Sequence, residues 1–303
     1  MDKVFLFPGY GAQYVGMGKD FYDHYRCVQE LFEEASNCLN INFVKLCFAS
    51  SEKELSKPAN AYLALFVLHA ALYSVLLEHG VEPSLITGWG VGCVSMYHAA
   101  GVINFPDGLY VLGKYLAFLQ ELVCDKSLAA ARVNGILPQE LEKLLQDQKF
   151  SDVVMVGFVC AERESIVVGE SASVCRLRAL LVDMGCVVVD EPLAYALHIL
   201  CRHEMVKRMN AYLVKIDIKL SRYPFLDYEG LYIAVDQPFQ HDRLTRFMYS
   251  VIDVPRAIKQ IGVCQTLIQI GPSFLNPAQI KTYLPQARVI GIIQRKDLKG
   301  IIS

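Results

Sequence analysis

The stretch "GWGVGCVSMYHAAGV" (88–102) restricts the fold more than any other part of the chain. It follows a short strand-like run, "PSLIT", then turns helical and stops at Gly101. Gly88, Gly90 and Gly92 sit at alternate positions across the turn, where a backbone bent this sharply leaves no room for neighbouring β-carbons. That is the spacing of a nucleophile elbow, a strand-to-helix turn that ordinarily presents a serine at its tip. Here the tip is Gly90, which has no side chain to present.

The rest of the chain supplies the frame for such an elbow. Strand-like "KVFLF" (3–7) runs into "PGYGAQYVGMG", and helical patterns follow at about 21–37 and 59–79. After the elbow helix, "PDGLYVLGKYLAFLQELV" (106–123) reads as another helix, with Pro106 and Asp107 at its start. Strands alternating with helices predict a parallel sheet covered on both faces. Between about 127 and 193 the rhythm changes to strand, helix, strand, strand, helix, strand, from "LAAARVNG" to "CVVVDE". This βαββαβ order predicts an inserted ferredoxin-like subdomain at 127–193. Residues 1–126 and 194–303 then form the large domain, with helices at 202–215 and 242–262, a strand at "TLIQIG" and a final helix-like segment after it.

Composition narrows the classes of function. With 303 residues, 53% of them hydrophobic, the chain has ample material for a core. The formal charge of −2 and the scattered basic residues leave no stripe for nucleic acid. Ten cysteines without a CxxC pair read as reduced thiols in a cytoplasmic protein. The uncharged run "AYLALFVLHAALYSVLL" (61–77) contains His69 and Ser74, falls short of a membrane span and reads as a buried helix. The seven histidines have no metal-ligand spacing, so no metal site is expected.

Several segments resemble one family in order and at family spacing, from about residue 3 to 295. "FLFPGYGAQYVGMG" resembles the amino-terminal F-P-G-Q-G-x-Q signature of malonyl-CoA:acyl carrier protein transacylases. "GWGVGCVSMYHAAGV" resembles their G-H-S-x-G-E elbow and the helix ending A-G-V, and "SIVVGE" their Q-V-V-I-A-G strand. "EPLAYALH" resembles the segment carrying the catalytic histidine, and "LIQIGP" the E-V-G-P turn. The resemblance implies an α/β-hydrolase-like large domain with an inserted ferredoxin-like subdomain, which the patterning indicates independently.

Residue by residue, the resemblance implies an altered site. Gly90 takes the place of the serine nucleophile, Trp89 that of the preceding histidine, and Cys93 that of the elbow glutamate. Tyr10 replaces the glutamine, and Tyr115, beside Lys114, replaces the arginine that clamps the malonyl carboxylate. His198 keeps the position of the catalytic base, and Val91 keeps the backbone N–H that helps hold an oxyanion. Tyr10, Trp89 and Tyr115 either plug the vacated cleft or line an aromatic slot. Cys93, in the first turn of the elbow helix, is a candidate alternative nucleophile or a buried structural thiol.

The implied function is that of a degenerate transacylase homologue with a docking or structural role in fatty-acid or polyketide synthesis. Its partner would be an acyl carrier protein or a synthase component, met by Lys207, Arg208, Lys215 and Lys219 unless these only form a solvated face. No cofactor would be bound permanently, and coenzyme A or a phosphopantetheine thioester would be the visiting ligand. Two alternatives stand beside it. One is a thioester hydrolase or acyltransferase using His198 with water or another nucleophile; the other is a small-molecule-binding pseudoenzyme.

Overall fold

The computed structural model describes residues 2–124, 126–192, 202–239, 241, 243–247 and 250–302. The first part of the chain holds β1 (Lys3–Phe7), α1 (Lys19–Tyr22), α2 (Arg26–Leu39), α3 (Phe43–Phe48), α4 (Glu52–Leu55) and α5 (Pro58–Glu78). The elbow region follows as β2 (Leu85–Gly88), α6 (Val91–Ala99) and α7 (Phe105–Val123). Next come β3 (Leu128–Asn134), α8 (Pro138–Asp147), β4 (Val154–Ala161), β5 (Glu164–Glu170), α9 (Ser171–Asp183) and β6 (Val187–Glu191). Beyond these lie α10 (Arg202–Leu213), β7 (Phe225–Leu226), β8 (Tyr232–Ile233), α11 (Arg243–Arg246), β9 (Ile252–Asp253) and α12 (Val254–Gln260). The chain closes with β10 (Thr266–Ile270), α13 (Pro277–Tyr283), β11 (Arg288–Ile292) and α14 (Lys299–Ile302).

These elements form two compact units. The first comprises 1–116, 212–244 and 257–303. Among its described residues one sheet runs β11-β10-β1-β2-β7-β8, parallel throughout except for the β7–β8 pair. β1 sits inside this order, which is why Val4 to Phe7 form an unbroken buried apolar run instead of an alternating one. Helix α5, without a charged residue before Glu78, packs beneath it: Tyr73 meets Phe5 and Phe7 edge-on at 6.2 and 6.3 Å. The burial of nearly every residue from Ala61 to Leu76 accounts for the apolar composition of that helix.

Two glycine-dependent details fix the elbow helix. Gly88 and Gly92 lie against the end of β1; a β-carbon built at Gly92 would stand 2.0 Å from the Phe7 carbonyl oxygen, and one at Gly88 would stand 2.4 Å from the Gly92 oxygen. At the other end, Gly101 has φ +80°, the Gly101 N–H donates to the His98 oxygen and the Val102 N–H to the Tyr97 oxygen. This is a Schellman stop, and it gives the A-G-V ending its physical meaning.

The second unit comprises 117–211 and 245–256 and takes in the insert read from the sequence. Its sheet runs β6-β3-β5-β4-β9, with β3 antiparallel to both β5 and β6, and β4 antiparallel to β5. Taken in chain order, the first four strands stand 4-1-3-2, the ferredoxin-like arrangement. α8 and α9 supply Leu141, Leu145, Val174, Leu177 and Leu181 to a core shared with Ala131, Val133, Val156 and Val167 of the sheet.

Three expectations need correction. The antiparallel sheet gains a fifth strand, because Ile252–Asp253 pairs in parallel with Phe158–Val159. That pairing interrupts the helix expected over 242–262, and α12 restarts with Pro255 in its first turn, where a missing N–H costs nothing. The helix-like end of the chain contains a strand, β11, whose "RVIGI" pairs with β10 in parallel.

The close approach of the elbow to β1 makes a direct prediction. Gly92→Ala should lower the unfolding free energy by about 3 kcal/mol or more, because the Cβ meets backbone that cannot yield. Gly113→Ala, in the interior of α7 with only Leu39 Cδ2 at 3.7 Å, should be neutral or stabilising by up to about 1 kcal/mol. Denaturant titration of the two variants measures the contrast.

Candidate functional site

β2 delivers the chain to Gly88, whose Cα pairs with Phe7 in register. Gly90 then has φ 57° and ψ −128°, and the Gly92 N–H closes the turn on the Trp89 oxygen at 2.9 Å. These angles match the first central residue of a type II′ turn, a region where a side chain is strained and glycine is not. The tip is therefore an elbow in geometry as well as in sequence. Val91 opens α6, and its N–H donates to no backbone carbonyl among the described residues. It is one of the amides that any helix start leaves for a ligand. His198 lies outside the described residues.

The aromatic candidates of the first unit are all buried. Trp89 is 2% exposed, Tyr115 1% and Tyr10 8%. Trp89 lies against Gly9, where a β-carbon would come within 3.0 Å of its Cδ1, and its Nε1 has no hydrogen-bond partner among the described residues. Tyr10 donates from its hydroxyl to the Ser56 carbonyl oxygen at 3.0 Å and stacks on Tyr62, 5.6 Å between ring centres. Tyr62 in turn tilts against Tyr115 at 6.4 Å. Tyr10 and Tyr115, 105 positions apart in the chain, are thus joined through a third ring that sequence reasoning missed. The available signal was the spacing of Tyr62, Phe66, His69 and Tyr73, which places them on one stripe of α5.

The Lys114 side chain is engaged away from Tyr115. Its Nζ lies 5.1 Å from the centre of the Tyr212 ring and 5.7 Å from that of Tyr110, a cation–π arrangement on a different side of α7 from Tyr115. Of the four basic residues named as meeting a partner, Lys207 and Arg208 lie on α10, whereas Lys215 and Lys219 fall beyond its end. Arg208 is held by Glu204 at 2.9 Å and Glu121 at 2.8 Å. Among the described residues no group of His, Cys, Asp and Glu has the makings of a metal site.

Of the two readings of Cys93, its surroundings fit the structural thiol. It is fully buried, and its Sγ–H donates to the Gly88 oxygen at 3.2 Å, across the elbow. Burial pushes its pKa well up, reinforced by the charge of Asp227, so the helix N-terminus does not make it a thiolate. Asp227 itself is buried and fully engaged: Oδ1 accepts from the Glu229 and Leu231 N–H groups, and Oδ2 pairs with Arg243 at 2.9 Å.

Beneath the elbow lies a second feature missed in the sequence. His69 is 0% exposed, and its Nδ1 stands 2.9 Å from Ser95 Oγ. The ring presses on Gly271, where a β-carbon would come within 2.8 Å of Cδ2, and its Nε2 has no partner among the described residues. The pair has the atoms of a nucleophile and base but is sealed in the core, so its part is structural. Burial pushes the His69 pKa down to about 3, so the folded protein refuses a proton that the unfolded chain accepts near pH 6.5. Stability should therefore fall as pH drops below about 6.5 and continue falling towards pH 3, with His69 accounting for about 2 kcal/mol of the loss between pH 7 and pH 5. In His69→Leu, urea titrations at those two pH values should differ by that much less than in the parent chain; equal differences would refute the assignment.

Comparison with known proteins agrees with this geometry. The malonyl CoA-acyl carrier protein transacylase of Bacillus subtilis (strain 168) is 25% identical over 312 aligned positions, covering 100% of this chain and 97% of the relative. The Escherichia coli (strain K12) protein of the same name is 25% identical over 273, covering 89% of this chain and 88% of its own. Among solved structures, a malonyl-transacylase in complex with its type II polyketide acyl-carrier protein superposes with a TM-score of 0.89 at 20% identity, covering 100% and 99% of the two chains. The Clostridium perfringens transacylase gives 0.87 at 23%, covering 99% and 96%. The family model described as "Acyl transferase domain" matches residues 4–299, and the chain belongs to that family.

Proposed function

We propose that this chain is a catalytically degenerate acyltransferase homologue. In this reading it serves cytoplasmic fatty-acid or polyketide synthesis by docking an acyl carrier protein or a synthase component. The observation that carries the reading is Gly90 at the tip of an intact elbow. Transfer through an acyl-enzyme needs a side-chain nucleophile there, and removal of such a group from an assembled triad costs about a million-fold in rate. The substitutions around it point the same way. Tyr115 offers a neutral hydroxyl where the family resemblance implies an arginine fork, and Lys114 is engaged with Tyr110 and Tyr212.

A carrier-protein partner is supported by the relatives' names and by the solved complex of a transacylase with its carrier protein. Coenzyme A or the phosphopantetheine arm is the ligand expected to visit, with no permanent cofactor. A hydrolytic reading draws support from the Val91 N–H, which donates to no backbone carbonyl among the described residues; in that reading it would hold an oxyanion while water, activated by His198, attacks the thioester.

Intact-mass measurement after incubation with malonyl-, acetyl- and butyryl-CoA separates these readings. The degenerate reading predicts no adduct and no free coenzyme A; free coenzyme A without an adduct would favour the hydrolase, and an acyl adduct would refute both. Gly90→Ser alone should remain unmodified by malonyl-CoA, since the carboxylate clamp is also altered. A malonylated Gly90→Ser would show that the surrounding site is intact and would contradict the account of Tyr115.

A further inference from the structure

At the C-terminal end of α6, in the first unit, lies a pocket of about 220 Å³ that the acyltransferase reading does not use. We propose that it binds a small carboxylate anion with a short apolar tail, a role separate from anything at the elbow. Its apolar side is made by Leu77, Ile103 and Phe105 together with the ring of Tyr73, and its polar side by Asn104, Lys219 and Arg222.

The two cations are put there by the backbone. The Arg222 N–H donates to the Ala100 oxygen at 2.7 Å and the Lys219 N–H to the Val102 oxygen at 2.9 Å, so the segment 219–222 is strapped along the helix end. The Arg222 side chain then runs over Gly101, where a β-carbon would come within 3.1 Å of its Cγ and Nε.

An arginine at a helix C-terminus ordinarily serves the exposed carbonyls. Here they are already taken: Tyr97 by Val102, His98 by Gly101, Ala99 by the Tyr73 hydroxyl and Ala100 by the Arg222 backbone. Arg222 forms no ion pair with a described residue; its guanidinium shares its surroundings with the Tyr73 and Tyr223 phenols and the Glu82 carboxylate, and its fork is left for another acceptor.

The neighbouring groups favour an anion of limited size. The Asn104 oxygen accepts from the Asp107 N–H at 2.7 Å and its side chain also hydrogen-bonds the Asp107 carboxylate, so it lends the pocket polarity while the cations supply the charge. The pocket also borders the start of the 19-residue helix α7, whose first turn is electropositive. Opposing this, Asp217 stands 3.9 Å from Lys219 Nζ and Asp107 lies in the same field, which limits the charge the pocket tolerates and disfavours a dianion. At about 30 Å³ per water, the volume holds roughly seven waters or a four-carbon acid with a few of them retained. The apolar side, including Leu77 at 37% exposure, gives the tail a surface to cover.

Methyl-detected NMR titration of the full chain, labelled at isoleucine and leucine methyls, tests this with butyrate, butyramide and inorganic phosphate. Butyrate should shift the Ile103 and Leu77 methyls with saturation, while butyramide and phosphate leave them unmoved. Arg222→Met should weaken butyrate binding about tenfold and Arg222→Lys less, as expected for loss of a charged fork at an exposed position that leaves folding intact. Lys219→Met provides a second, milder loss. Equal shifts with butyramide, equal shifts with phosphate, or an unchanged titration in Arg222→Met would each overturn the proposal.

Discussion

The structure of the first unit depends on one backbone contact, the approach of the elbow to the end of β1. Gly88 and Gly92 bring the turn so close to Phe7 and Pro8 that no other residue fits at either position. That contact sets the direction of α6, and α6 in turn fixes its packing on α5, the His69–Ser95 pair below it and the Schellman stop at Gly101. An active nucleophile elbow needs the same joint, but the joint does not need the nucleophile. A chain that loses its serine while keeping Gly88 and Gly92 keeps the fold.

Around the elbow tip the space is filled by aromatic rings. Trp89 is fitted over Gly9, Tyr10 reaches Ser56, and Tyr62 links Tyr10 to Tyr115. Each ring is buried and adds apolar surface to the core of the first unit, which favours stability. Cys93 is buried as well, with its thiol turned to a carbonyl within the elbow.

Much of this was legible in the sequence, for identifiable reasons. The elbow was readable because close approach demands glycine at fixed spacing, and the ferredoxin-like insert because strand and helix periods alternate cleanly from Leu128 to Glu191. Long-range pairings were not readable. The two residues of β9 carry no period of their own and become a strand only because β4 offers an edge. "RVIGI" looked helical in context and is a strand because β10 lies beside it. Likewise the His69–Ser95 and Tyr10–Tyr62–Tyr115 contacts join residues from separate elements, and no local pattern announces which side chains will meet. Cys93 was open between two readings until its burial and its hydrogen bond to Gly88 were visible.

The central claim is that the elbow persists as a relaxed structural joint with glycine at its tip. The stability of Gly90→Ala measures this most directly. At φ 57° and ψ −128° an L side chain is strained, so the substitution should lower the unfolding free energy by about 1–3 kcal/mol in denaturant titration. Unchanged or increased stability would contradict the account, because the tip would then carry a side chain without cost and its glycine would need another explanation.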